Sequence, residues 1–160
     1  MKTQMPSYNL IASFYIAFTH EHGDTITNLK LQKLMYYTQA RFLAVHDTPM
    51  FERDFEAWVH GPVLRPLYHD YKKFSYSPIT HDEYNDKSMG EIWKGFSENV
   101  KSTIDYVIEN YYIHNAFQLE LLTHSEPPWQ LARKGFQPYE TCNVAINMES
   151  MKHFYKGIME

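Results

Sequence analysis

One cysteine, six glycines and no apolar run of 18 residues occur in this 160-residue chain. A lone Cys142 cannot close an internal disulfide, so no disulfide scaffold is expected, and a reducing cytoplasm suits the composition. Without a long apolar run no membrane insertion is expected, and MKTQMPSYNL lacks the apolar stretch of a signal peptide. Six glycines leave little room for a phosphate-cradling loop, and neither Gly-x-Ser-x-Gly nor His-Glu-x-x-His occurs. Nine histidines are present, but no Cys/His array has zinc spacing. His20 and His22 stand two apart, which on a helix points them to different sides. No metal or cofactor is therefore expected. An excess of basic charge is also missing. Lys and Arg total 15 against 19 Asp and Glu, a net charge of -4, and the acidic excess lies in the second half. No basic stripe is visible, which disfavours unaided binding to nucleic acid.

What is present is apolar and aromatic. Hydrophobic residues make up 44% and aromatics 16%, with 13 Tyr and 10 Phe. A globular domain of this length can bury roughly 70% of the surface its unfolded chain exposes. So many tyrosines and phenylalanines suit a dense core, a sticky surface, or both.

Hydrophobic spacing predicts mostly helices. Residues 8–21 carry Leu10, Ile11, Phe14, Ala17 and Phe18 at helical intervals, with Ser7 as N-cap and Gly23 as terminator. From Thr27 or Asn28 to His46, a buried stripe is expected at Leu31, Leu34, Met35, Thr38, Phe42 and Val45. Lys30, Lys33 and Arg41 then fall on wetter faces. For Gln32 and Lys33 the choice lies between a solvated face and a polar contact with the Gly61 corner or with a partner.

In FEAWVHGPVLRPLY, Phe55, Ala57 and Val59 alternate with Glu56, Trp58 and His60, as in a strand. Gly61-Pro62 breaks that pattern, and Val63, Leu64, Leu67 and Tyr68 resume helical spacing. Residues 77–80 (SPIT) are the expected strand partner for 54–59. A long helix is expected over about 90–110, then a short one ending near His124. Another, PPWQLARKG, is capped by Ser125, and a last one is capped by Asn147. The expectation is one mainly α domain spanning 1–160: six or seven helices with a small two-stranded β element around 54–59 and 77–80.

One cluster invites a chemical reading. In LLTHSEPPWQLAR, His124 and Glu126 have the types of a base and its orienter, and Arg133 that of an anion clamp. This would make a small hydrolase or transferase. The competing account is local: His124 closes a helix, Ser125 and Glu126 start the next, and Trp129 packs against Arg133.

TNLKLQKLMYY, Ala57-Trp58 leading to Gly61-Pro62-Val63, Leu67-Tyr68 and the later LTHSEPPWQLAR carry a family resemblance. In this order and spacing they resemble the Panacea antitoxin domain, also called the SocA-like or phage-associated GepA-like family. The likeness extends over roughly residues 8–135. His60 departs from it, standing where many members carry an aromatic. The resemblance implies an antitoxin, not an enzyme, that neutralises a toxin encoded beside it by direct protein contact. Partners across the family are diverse and include nucleotide-modifying and membrane-acting toxins. One branch instead delivers its toxin to a cellular protease. Some members add a helix-turn-helix segment, and the 160 residues hold no obvious one. The resemblance marks Gln32, Lys33, Tyr36, Tyr37, Trp58, His60, Gly61, Pro62, Val63, His124, Glu126 and Trp129 as signature or partner-binding positions. Among them, Trp58, Tyr36, Tyr37 and Trp129 have the side-chain types that dominate binding hot spots.

Overall fold

A computed structural model describes residues 5–159; the first four residues of MKTQMPSYNL lie outside them. Helix α1 spans Tyr8–Glu21, and Ser7 accepts the Leu10 amide as its N-cap. Helix α2 spans Asn28–His46, capped by Thr27, whose hydroxyl accepts from Lys30 N. The structure rests on α2: α1, the helices Arg65–Tyr71, Glu98–Asn110, Ala116–His124 and Met148–Gly157 and the strand Gly61–Val63 all pack against it. Surrounded in this way, α2 buries side chains on every face. Leu31, Leu34, Met35, Thr38 and Phe42 are buried as expected, whereas Val45 is exposed near the helix end.

The buried polar side chains at Asn28, Gln32, Lys33, Thr38 and Gln39 of α2 are each bonded, while His46 Nε2 at its end is buried without a partner. The Thr38 hydroxyl donates to Leu34 O at 2.7 Å. Gln39 holds the following loop by accepting from Met50 N at 2.8 Å and donating to Phe51 O at 2.7 Å. These bonds offset the desolvation that burial of amides and hydroxyls otherwise costs.

Strand β1 (Glu56–Trp58) pairs antiparallel with β2 (Gly61–Val63), Ala57 opposite Pro62. The partner of 54–59 is therefore not 77–80. Residues Val59 and His60 turn the hairpin with negative φ, and Gly61 carries the left-handed φ of +101° that closes it. A partner two residues away costs far less loop entropy than one twenty away. Residues 77–80 lie instead beside the approach to α2: Thr27 bridges Pro78, and Ile79 N donates to Ile26 O at 2.8 Å.

Helix α3 (Arg65–Tyr71) starts three residues after Pro62, with Pro66 in its first turn, so Pro62 belongs to the strand and not to the helix start. The expected long helix over 90–110 is two helices, α4 (Met89–Lys94) and α5 (Glu98–Asn110). Gly95 ends the first and Ser97 caps the second, which lets Phe96 turn inward against Phe14. Helices α6 (Ala116–His124), α7 (Pro127–Ala132) and α8 (Met148–Gly157) complete the chain. Ser125 does not cap α7; its hydroxyl donates back to Leu122 O, and Glu126 holds the N-cap position without a side-chain bond. Asn147 caps α8 by accepting from Ser150 N at 2.9 Å. Among the described residues the fold is mainly helical with one two-stranded antiparallel sheet. No helix among the described residues is long and apolar enough to cross a membrane.

Candidate partner-binding site

Two side chains of α2 grip the hairpin exit. Gln32 Oε1 accepts from Leu64 N at 2.9 Å while its Nε2 donates to Asn28 Oδ1 at 3.0 Å. Lys33 Nζ donates to Pro62 O at 3.2 Å. Both residues are buried, Gln32 at 0% and Lys33 at 1% exposure, so neither lies on a solvated face. Their backbone partners arrive from some thirty residues away, which helical periodicity cannot register. Burial pushes the Lys33 amine down to about 7, with Glu120 opposing. A Cβ at Gly61 would lie 2.7 Å from Lys33 Cε and 2.9 Å from Thr123 Oγ1, so this glycine is required by space as well as by its φ.

The later signature grips the hairpin from the other side. Trp129 Nε1 donates to Trp58 O at 2.9 Å. Arg133 donates to Ala57 O at 2.8 Å, and through its other nitrogen to Gln137 O at 2.8 Å and Glu140 O at 2.5 Å. His124 stacks on Trp129 with ring centroids 3.9 Å apart, and burial lowers its pKa. Glu126 faces elsewhere: its Oε1 accepts from Tyr37 at 2.7 Å and from Tyr155 at 2.8 Å, and Tyr155 reaches on to Tyr36 at 3.1 Å. This node joins α2, α7 and α8. Burial raises the Glu126 carboxyl above its ordinary value, and the two hydroxyls oppose that rise. His124, Glu126 and Arg133 thus have no hydrogen-bonding partner in common: the guanidinium is engaged with backbone carbonyls and lies 5.1 Å from the centroid of the Trp129 ring on which His124 stacks.

Of the signature positions, Tyr36, Tyr37, Val63 and Trp129 are buried, and Trp58 and His60 open onto a groove of about 420 Å³ beside the hairpin, with Val63 behind its lining. Its other walls include Leu29, Arg65, Tyr68, Lys72, Cys142 and Asn143. The Trp58 ring is fixed twice: Nε1 donates to Glu56 Oε1 at 2.8 Å, and Tyr68 meets it edge-on with centroids 5.0 Å apart. The same Glu56 oxygen accepts from Arg65 Nη2 at 2.8 Å. His60, at the exposed hairpin tip, contacts Glu120 of α6 through Nδ1 at 2.8 Å. Beyond that tie, Phe117 and Leu121 stand exposed one helical turn apart. The sequence reading missed Arg65, Tyr68 and Lys72 as groove walls. Their i, i+3, i+7 spacing was the available signal.

Among the described residues no group of three or more His, Cys, Asp or Glu is placed to hold a metal ion. The family described as Antitoxin SocA-like, Panacea domain matches residues 31–130. A 43-residue segment is 46% identical to Antitoxin SocA of Caulobacter vibrioides (strain NA1000 / CB15N), covering 27% of this chain and 23% of that relative. No solved structure matches the chain. The matched span runs from the first turns of α2 through the hairpin to Trp129, taking in most of the bonds that build the groove's hairpin wall, and the chain belongs to the Antitoxin SocA-like, Panacea domain family.

Proposed function

We propose that this protein is an antitoxin that neutralises a toxin encoded beside it by direct protein contact, through the face formed by the hairpin tip and the groove next to Trp58. The observation that carries the reading is the use made of the polar signature residues. Gln32, Lys33, Glu126 and Arg133 are all engaged in internal bonds. They hold the hairpin and helices in place and leave shape, aromatic area and a few rim charges at the surface. That is the equipment of a binding module and not of a reacting centre. Trp, Tyr and Arg are the usual hot-spot residues, and Trp58, Tyr68 and Arg65 meet at one wall. An interface centred there, extended over the His60 tip towards Phe117 and Leu121, suits the roughly 1,600 Å² of a standard protein complex.

The test is co-expression with the neighbouring reading frame. Growth arrest by that product alone, relieved by this chain, and a stable complex on copurification are the expected results. Trp58→Ala should weaken rescue more than it lowers the melting temperature. If rescue and melting temperature fall in parallel, Trp58 acts through folding alone. Loss of the toxin in the presence of a cellular protease, with no stable complex, would replace blockade by delivery.

A further inference from the structure

The groove differs in charge from the rest of the molecule. The whole chain carries 19 acidic and 15 basic side chains. The groove walls include Arg65 and Lys72 but no Asp or Glu. Lys72, exposed at the end of α3, takes part in none of the ion pairs among the described residues. Arg65 does have a partner, and that partner is shared. One Glu56 oxygen holds both the Trp58 indole and the Arg65 guanidinium, so the aromatic and cationic parts of the wall are set before anything binds. Preorganisation of this kind removes part of the ordering cost of association.

The manner of binding is also constrained. An incoming strand would need a free sheet edge. The outer edge of β1 is occupied, since Ala57 N donates to Val144 O at 2.9 Å and Ile146 N to Phe55 O at 2.7 Å. On the side of β2, Pro62 has no N–H, its carbonyl accepts from Lys33, and Leu64 N donates to Gln32. Recognition here must run through side chains.

We infer that the groove takes an apolar and acidic segment of the partner protein. An apolar or aromatic side chain sits against Trp58 and Tyr68, and a carboxylate reaches Lys72. This rests on the partner-binding reading and adds the chemistry of the segment that is bound. Thr141 and Asn143, exposed and also lining the groove, supply further polar contacts to its backbone.

The test uses the full chain in complex with the product of the adjacent reading frame. Treatment with a carbodiimide, which joins an amine to a carboxylate only when the two touch, is followed by peptide mapping. The expected product is a cross-link from Lys72 to an Asp or Glu of the partner. Lys72→Glu should weaken the complex about tenfold or more, as charge reversal at a buried contact does, and Lys72→Gln less. Lys134→Glu, exposed and outside the groove, should leave affinity unchanged. A complex that forms without any Lys72 cross-link, and that Lys72→Glu leaves as tight as Lys134→Glu does, overturns the inference while the antitoxin reading stands. Absence of any complex with the unaltered chain overturns both.

Discussion

Lys33 and Gly61 fill one another's space: the lysine's Cε lies where a side chain at Gly61 would begin, at 2.7 Å from an added Cβ. The lysine amine then continues to the Pro62 carbonyl at 3.2 Å. A central helix and a hairpin tip are thereby fixed at a set separation. The groove wall carrying Trp58 depends on that separation, because Trp58 pairs with Gly61 across the hairpin.

Gly61→Ala should be among the most destabilising single-methyl additions in the chain. It combines a backbone conformation costing about 1–2 kcal/mol for an L residue with overpacking of about 1–3 kcal/mol. Gly23 is also left-handed, at φ +69°, but has open space around it, so Gly23→Ala should lose only the conformational part. Urea denaturation of the two variants compares them directly. Equal losses would show that the Lys33 contact yields freely.

The stability of the folded chain should rise with pH above neutrality. Burial holds the Lys33 amine at about 7 in the folded state, and an unfolded lysine titrates near 10.4. Between those values the unfolded chain binds more protons, so stability increases by up to about 1.4 kcal/mol per pH unit. Above about pH 10 the trend reverses, because burial keeps the phenols of Tyr15, Tyr36 and Tyr37 protonated while unfolded ones ionise. Lys33→Met should flatten the rising limb. Denaturation midpoints followed from neutral to mildly alkaline pH provide the measurement, and an unchanged limb in the variant would refute the assignment.

Glu126 anchors α7 to α2 and α8 through two tyrosine hydroxyls. Glu126→Ala leaves both hydroxyls buried without their acceptor and should cost about 3 kcal/mol, against about 1 kcal/mol for Glu126→Gln, which keeps an oxygen there. Calorimetric melting of both variants gives the comparison. Tyr155→Phe removes one of the two bonds to Glu126 together with the contact to Tyr36 and should cost about 1–2 kcal/mol.

Arg133 ties the segment after α7 to β1 by reaching Ala57, Gln137 and Glu140 carbonyls at once. Lysine cannot reproduce that fork, so Arg133→Lys should cost about 2 kcal/mol. Limited proteolysis should then cut first within residues 134–145. Unchanged cleavage at these sites would mean that the segment is held by its other contacts.

Several features could be read locally. Ser7, Thr27 and Asn147 announce their helices because an N-cap needs a small polar side chain at one position, and that requirement is satisfied within three residues. The extended stretch at 54–59 likewise showed in its alternation. Gly95 and Ser97, a stop followed by a cap, carried the break between α4 and α5, but the apolar spacing ran across them and masked it. Val45 kept the period of α2 and yet lies exposed, since in the last turn the packed elements cover the face of Leu43 and Ala44 instead.

The sequence by itself determined a mainly helical chain, the starts of α1, α2 and α8, a short extended segment before Gly61 and the family to which those motifs belong. These depend on spacing and on bonds between near neighbours. The tertiary structure decided that Gln32 and Lys33 lie inside, that β1 pairs with 61–63, and that His124, Glu126 and Arg133 part company. It also decided that Trp58, Tyr68 and Lys72 share a groove. The physical reason is the same in each case. A polar side chain is stable in the interior only where its partner waits, and here those partners come from distant parts of the chain that no local pattern brings together.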